Sequence, residues 1–178
     1  RYNARMSNES KPRSNSDTAE LRADHLLLTL EEVQEAMGPA AHLEQSSVRT
    51  SGGMGEMIRS AAADSSFRRF NGHVQHGNHA APVAISAMAL LFDSCDTASR
   101  TYAQVAEAAH LRTQISGTDV AVETVSSQRD VVSYWGFLYR HRVILVLTLD
   151  TLDVQQVSIG DLRSLVLTAA DKMENAIR

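Results

Sequence analysis

A chain of 178 residues, 43% apolar and 21% charged, is long enough to bury one core without the help of a disulfide or a metal. Its net charge of -4 argues against nucleic acid, whose phosphates call for a basic face. The single cysteine, Cys95, excludes an intrachain disulfide and a cysteine-based zinc site, and no apolar run approaches the roughly 20 residues that a membrane helix requires.

Residues 1–16 are rich in Asn, Ser, Arg and Lys, too polar to offset the entropy of ordering, and are expected to form a flexible tail ahead of a domain spanning 17–178. A membrane tether or export signal would lie upstream of Arg1. A short helix is expected around 17–24, followed by Leu26, Leu27 and Leu28 plugged into the core. Thr29 with Glu32 three residues on reads as a capping box. The helix it opens carries Val33 and Met37 on one face and stops at Gly38-Pro39.

Residues 40–81 are expected to be mostly loop, with a strand at 46–50 and at most one short helix. The run 83–92 is apolar, contains β-branched residues and lies between Pro82 and Asp93-Ser94, so it reads as a buried strand. Ser94 then caps a helix on which Ala98, Tyr102, Val105 and Ala109 recur at helical spacing. Strand-like runs follow at 119–125, 131–139 and 143–149. The last two flank Arg140-His141-Arg142 and form a hairpin, apolar on both faces and therefore central in its sheet. A closing helix starts at Ser158 with Asp161 completing a box, and Leu162, Leu165, Val166, Ala169, Met173 and Ile177 form its apolar stripe. Adjoining strands followed by a helix define the class as α+β, a twisted, mainly antiparallel sheet with helices packed on it.

Chemistry is sparse. No nucleophile elbow, zincin helix or kinase signature occurs, so no catalytic residue is assigned and a non-enzymatic role is favoured. His73, His76 and His79 recur at every third position, and three imidazoles can hold a divalent metal such as zinc. The glycines around them argue against the helix that would make them converge, so an exposed polar loop is the competing and preferred reading. Cys95 at a helix start could gain thiolate character, but Asp93 and Asp96 oppose this and an inert, at least partly buried thiol is expected. The run 51–55 is rich in glycine but lacks the Lys-Ser/Thr of a P-loop. Glu31, Glu32, Glu35 and the pair Arg68-Arg69 read as solvated faces, and Trp135, Phe137 and Tyr139 as core before pocket wall.

The order of these elements resembles a known group. Leu-Leu-Leu-Thr-Leu-Glu-Glu-Val at 26–33 ends in Gly38, and Ala89-Leu90-Leu91-Phe92-Asp93-Ser94 enters an Ala-rich helix. Gly117-Thr118-Asp119-Val120-Ala121-Val122 then precedes the Arg-His-Arg hairpin and the helix begun by Ser158-Ile159-Gly160-Asp161. Together these are similar to the exported lipoprotein-like and sensor domains of actinobacteria, including the extracellular sensor domain of mycobacterial Ser/Thr kinases. The likeness spans residues 26–177 and departs from the kinase domains in lacking their disulfides. It implies a cell-envelope or extracellular domain with a groove for a small ligand, and it transfers no functional residue. The leading expectation is therefore a ligand-binding or sensor-like domain whose small ligand or protein partner is unknown. The alternatives are a metal-binding protein or small metalloenzyme built on the three histidines, and a cytosolic partner-binding protein.

Overall fold

In the computed structural model, residues 21–47, 59–108, 113–114, 120–122, 126–128 and 131–178 are described. A 3-10 turn, Ala23–Leu26, leads into helix α1, Leu30–Met37, and strand β1, Ala41–Ser46. Two long strands follow, β2, Asp64–His76, and β3, His79–Leu91, before helix α2, Cys95–Ala108. Three short strands come next: β4, Thr113–Gln114, β5, Val120–Val122, and β6, Ser126–Gln128. Strands β7, Val131–Arg140, and β8, Val143–Thr151, and helix α3, Ile159–Ile177, complete the chain. The strands form one sheet in the order β1-β2-β3-β8-β7-β5-β4, with β6 also on β7, and every described pairing is antiparallel. With helices packed on this sheet, the class is α+β, as the sequence implies.

The two hairpins organise the sheet. Tyr134 to Leu138 pair with Leu145 to Leu149 across β7 and β8, and β3 pairs with the other edge of β8. The expected central hairpin is therefore present. His141 takes the positive φ of 50° that a two-residue turn between twisted strands demands. Gly77, at φ 59°, serves the same purpose between His76 and His79, which are direct cross-strand partners.

This second hairpin corrects the reading of 40–81 as loop: residues 64–76 and 79–81 are strand, and a strand β1 occupies 41–46, meeting the expected strand at Ser46, while 48–50 lie outside the described residues. The polar alternation of Arg69, Asn71, His73 and Gln75 looks like a loop in isolation. Pairing on both edges of β2 satisfies its backbone, and the polar side chains fall on or near an open sheet face.

Alternation along the strands sorts the interior onto two sides. On the first, Leu26, Leu27, Leu28, Val33, Phe70, Ile85, Leu145, Leu147 and Leu149 are fully buried beneath α1 and α3, with Leu162, Leu165, Val166, Ala169 and Met173 of α3 closing the layer. On the second, Met88, Leu90, Phe92, Phe137, Ile144 and Val146 pack with Ala98 and Val105 of α2.

Both capping boxes form. The Thr29 hydroxyl accepts from the Glu32 N–H at 3.2 Å and the Glu32 carboxylate from the Thr29 N–H at 2.7 Å. Ser158 and Asp161 repeat the arrangement. Ser94 Oγ accepts from the Thr97 N–H at 3.2 Å.

Candidate functional site

The second sheet face is covered unevenly. At one end α2 seals the aromatic patch, with Tyr102 stacked on Tyr139 at 5.1 Å and Trp135 beside Phe137 at 6.2 Å between ring centroids. Phe137 is buried and Trp135 and Tyr139 are partly so, which bears out their reading as core. Toward the other end the same face turns polar. Ser86 of β3, Thr148 and Asp150 of β8 and Asn71 and His73 of β2 are all partly exposed, and His42 and Glu44 of β1 are exposed. The registers Ser86↔Thr148 and Ala84↔Asp150 place these groups side by side on one surface.

At the β1–β2 edge an open hollow of about 470 Å³ wraps around β1, lined by His42, Glu44, Asn71 and His73 of this surface and by Gln34 and Leu43 from the side of α1. The amide of Gln34 donates to the Ala41 carbonyl and so ties α1 to the start of β1. His42 pairs with His73 and Glu44 with Asn71 across the two strands, and the two imidazole rings lie 5.1 Å apart, tilted by 37°. Arg69 Nε donates to Asn71 Oδ1 at 3.0 Å, which orients the amide. Gly72 permits this geometry. A Cβ at Gly72 would lie 2.0 Å from the His42 carbonyl oxygen, far inside van der Waals contact, so a side chain there would push β1 away.

The three histidines singled out by spacing do not meet. In a strand, positions three apart point to opposite faces. His73 therefore shares the open face with His42, while His76 and His79 face each other at the hairpin tip on the other side. His79 is already engaged: its Nε2 lies 2.8 Å from Asp153 Oδ2, and Asp153 Oδ1 accepts from the N–H groups of Gln155 and Gln156 at 3.0 and 3.2 Å. The contact straps the β2–β3 tip to the loop before α3. It also holds the Asp153 carboxyl below its ordinary range; the His79 hydrogen bond leads, partial burial opposes it, and the two backbone N–H groups add to the lowering. Among the described residues no group of three or more His, Cys, Asp or Glu is placed to hold a metal ion. The competing expectation of an exposed polar loop holds for the exposure of 76–79 but not for the conformation, because two strands joined by the turn at Gly77-Asn78 make up the segment.

Other candidates resolve simply. Cys95 is exposed, not the partly buried thiol expected, because the first turn of α2 lies outside the cluster that begins at Ala98. Arg68 is no solvated charge: its guanidinium donates to the carbonyls of Leu27 and Leu28 at 3.2 and 3.0 Å and closes the end of the 3-10 turn. Glu32 bonds Lys172 Nζ at 2.6 Å. Burial pushes its carboxyl up, yet the Lys172 and Thr29 contacts outweigh this and leave it below 4.5. The glycine-rich run 51–55, Ala109 and the stretch 17–20 lie outside the described residues.

The residue that sequence reasoning missed is His42. It sits 31 positions before His73 and gives no local signal. The usable hint was Gly77-Asn78, a two-residue turn of the Gly-Asn kind that marks a hairpin and separates His73 from its neighbours in sequence.

No protein-family model and no curated protein matches the chain in sequence. Among solved structures it is similar to the extracellular domain of PknH from Mycobacterium tuberculosis, with a TM-score of 0.54 and 11% identity. The match covers 88% of this chain and 97% of that one. At this identity the likeness is one of fold, the same fold type that the order of elements resembles.

Proposed function

We propose that this chain is a cell-envelope ligand-binding or sensor-like domain whose ligand surface is the polar part of the second sheet face. The observation that carries this reading is the unequal cover of that face. A sheet surface left polar and open at one edge, beside an aromatic patch sealed by α2, combines oriented polar groups with a rigid support. Ser86, Thr148, Asp150, Asn71 and His73 come from three strands, so their spacing is set by the backbone ladder rather than by loops. The shared fold with an extracellular domain supports an extracytoplasmic location.

Two measurements test the two halves of the proposal. Fusion of the full-length gene product to a reporter active only outside the cytoplasm is expected to give reporter activity; a silent fusion removes the envelope assignment. Amide chemical shifts of the chain, followed on addition of small-molecule fractions from the cell envelope, are expected to move at Asn71, Ser86 and Thr148. Shifts confined to the first face, or to α3, would place the ligand elsewhere.

A further inference from the structure

We propose that His42 and His73 form a two-imidazole site for a divalent transition metal of the zinc, nickel or copper class. The inference refines the reading of the open face as a binding surface, but its geometry stands independently of any organic ligand.

Cross-strand partners hold their Cβ atoms about 5 Å apart on one face, a separation set by the ladder and independent of side-chain choice. His42 and His73 are such partners, with ring centroids 5.1 Å apart and planes tilted by 37°. Two imidazole nitrogens each about 2.0 to 2.1 Å from a tetrahedral zinc lie roughly 3.4 Å from one another. Rotation of the two rings about their side-chain torsions, without backbone movement, spans the difference. The close approach of β1 at Gly72 fixes the backbone on which both rings stand.

The rings are also available. Neither imidazole makes a hydrogen bond to another described residue, whereas His79 is held by Asp153. The open edge leaves room for water in the remaining coordination positions. Neutral imidazole suits zinc, copper and nickel. With two firm ligands rather than three, binding is weaker than at a structural zinc site, and affinity follows the order copper above nickel, with zinc below copper.

The experiment is a calorimetric titration of the chain with zinc and with nickel chloride, repeated on His42→Ala, His73→Ala and the double variant, with His76→Ala as control. One metal per chain is expected. Each single substitution at the pair should weaken it by about 100-fold, since even an outer partner of a metal ligand is worth 10- to 100-fold. The double variant should show no binding, and His76→Ala should match the parent. Circular dichroism checks folding, and nickel-induced broadening of proton signals in the parent protein gives a readout that needs no variant: the His42 and His73 ring protons should broaden first. Unchanged affinity in the double variant, absence of any binding, or loss of binding in His76→Ala would overturn the proposal. Amide shifts at Ser86 and Thr148 with an envelope fraction would persist in those cases if the broader reading holds, so the two failures are distinguishable.

Discussion

Single residues set the geometry of the open edge. Gly72 has no alternative in its place, because the His42 carbonyl occupies the position of a Cβ. Gly72→Ala is expected to cost about 1 to 3 kcal/mol, the range for overpacking a fitted site, and to move the His42 and His73 amide resonances together. A neutral result in urea unfolding would mean that β1 adjusts freely. The His79–Asp153 contact predicts a pH dependence with a definite sign. The Asp153 carboxyl is depressed below its ordinary value of 3.8 in the folded state, led by the His79 hydrogen bond. The folded protein thus binds fewer protons there than the unfolded chain, so the stabilisation is complete above that value and disappears as pH falls through the lower, folded one. Comparison of urea midpoints across the acid range should show Asp153→Asn with a shallower decline than the parent. Parallel curves would remove Asp153 as the titrating group.

At the scale of elements, the caps and stripes dominate. Helix α3 inserts Leu162, Leu165, Val166, Ala169 and Met173 into the first core, all fully buried, and Gly136 of β7 lets Val166 approach within 2.7 Å of where a Cβ would stand. Leu165→Ala should cost about 2 to 5 kcal/mol through lost burial and the cavity left behind, read as a lower midpoint in chemical denaturation. These features were legible in the sequence. The Thr29-Glu32 and Ser158-Asp161 boxes and the 3.6-residue stripes are local, and each of these helix starts is capped by residues within three positions. The β2–β3 hairpin was not legible as a strand pair. Its β2 strand alternates Arg, Asn, His and Gln with only Phe70, Gly72 and Val74 between them, a pattern that local reading takes for loop. What makes it a strand is pairing with β1 on one edge and β3 on the other, and most of those partners are distant in sequence and leave no mark on the segment itself.

At the scale of the molecule, one sheet carries two cores. Phe137 and Leu138 are chain neighbours on β7, yet Phe137 belongs to the cluster under α2 and Leu138 to the cluster under α3. Strands shared by both layers should make unfolding a single cooperative event. Phe137→Ala on one side, at about 3 to 5 kcal/mol, and Leu165→Ala on the other are therefore expected to lower the same transition, whether it is followed by tryptophan fluorescence or far-ultraviolet circular dichroism. Separate transitions for the two probes would show that the layers melt independently. Composition, caps, the central β7–β8 hairpin and the α+β class were determined by the amino-acid sequence alone, because each rests on interactions within a few residues or on the balance of apolar and polar groups. Which histidines share a surface was decided only by tertiary structure. Strand alternation sends His73 to one face and His76 and His79 to the other, and the register of β1 on β2, held close at Gly72, supplies His42 as the true neighbour of His73.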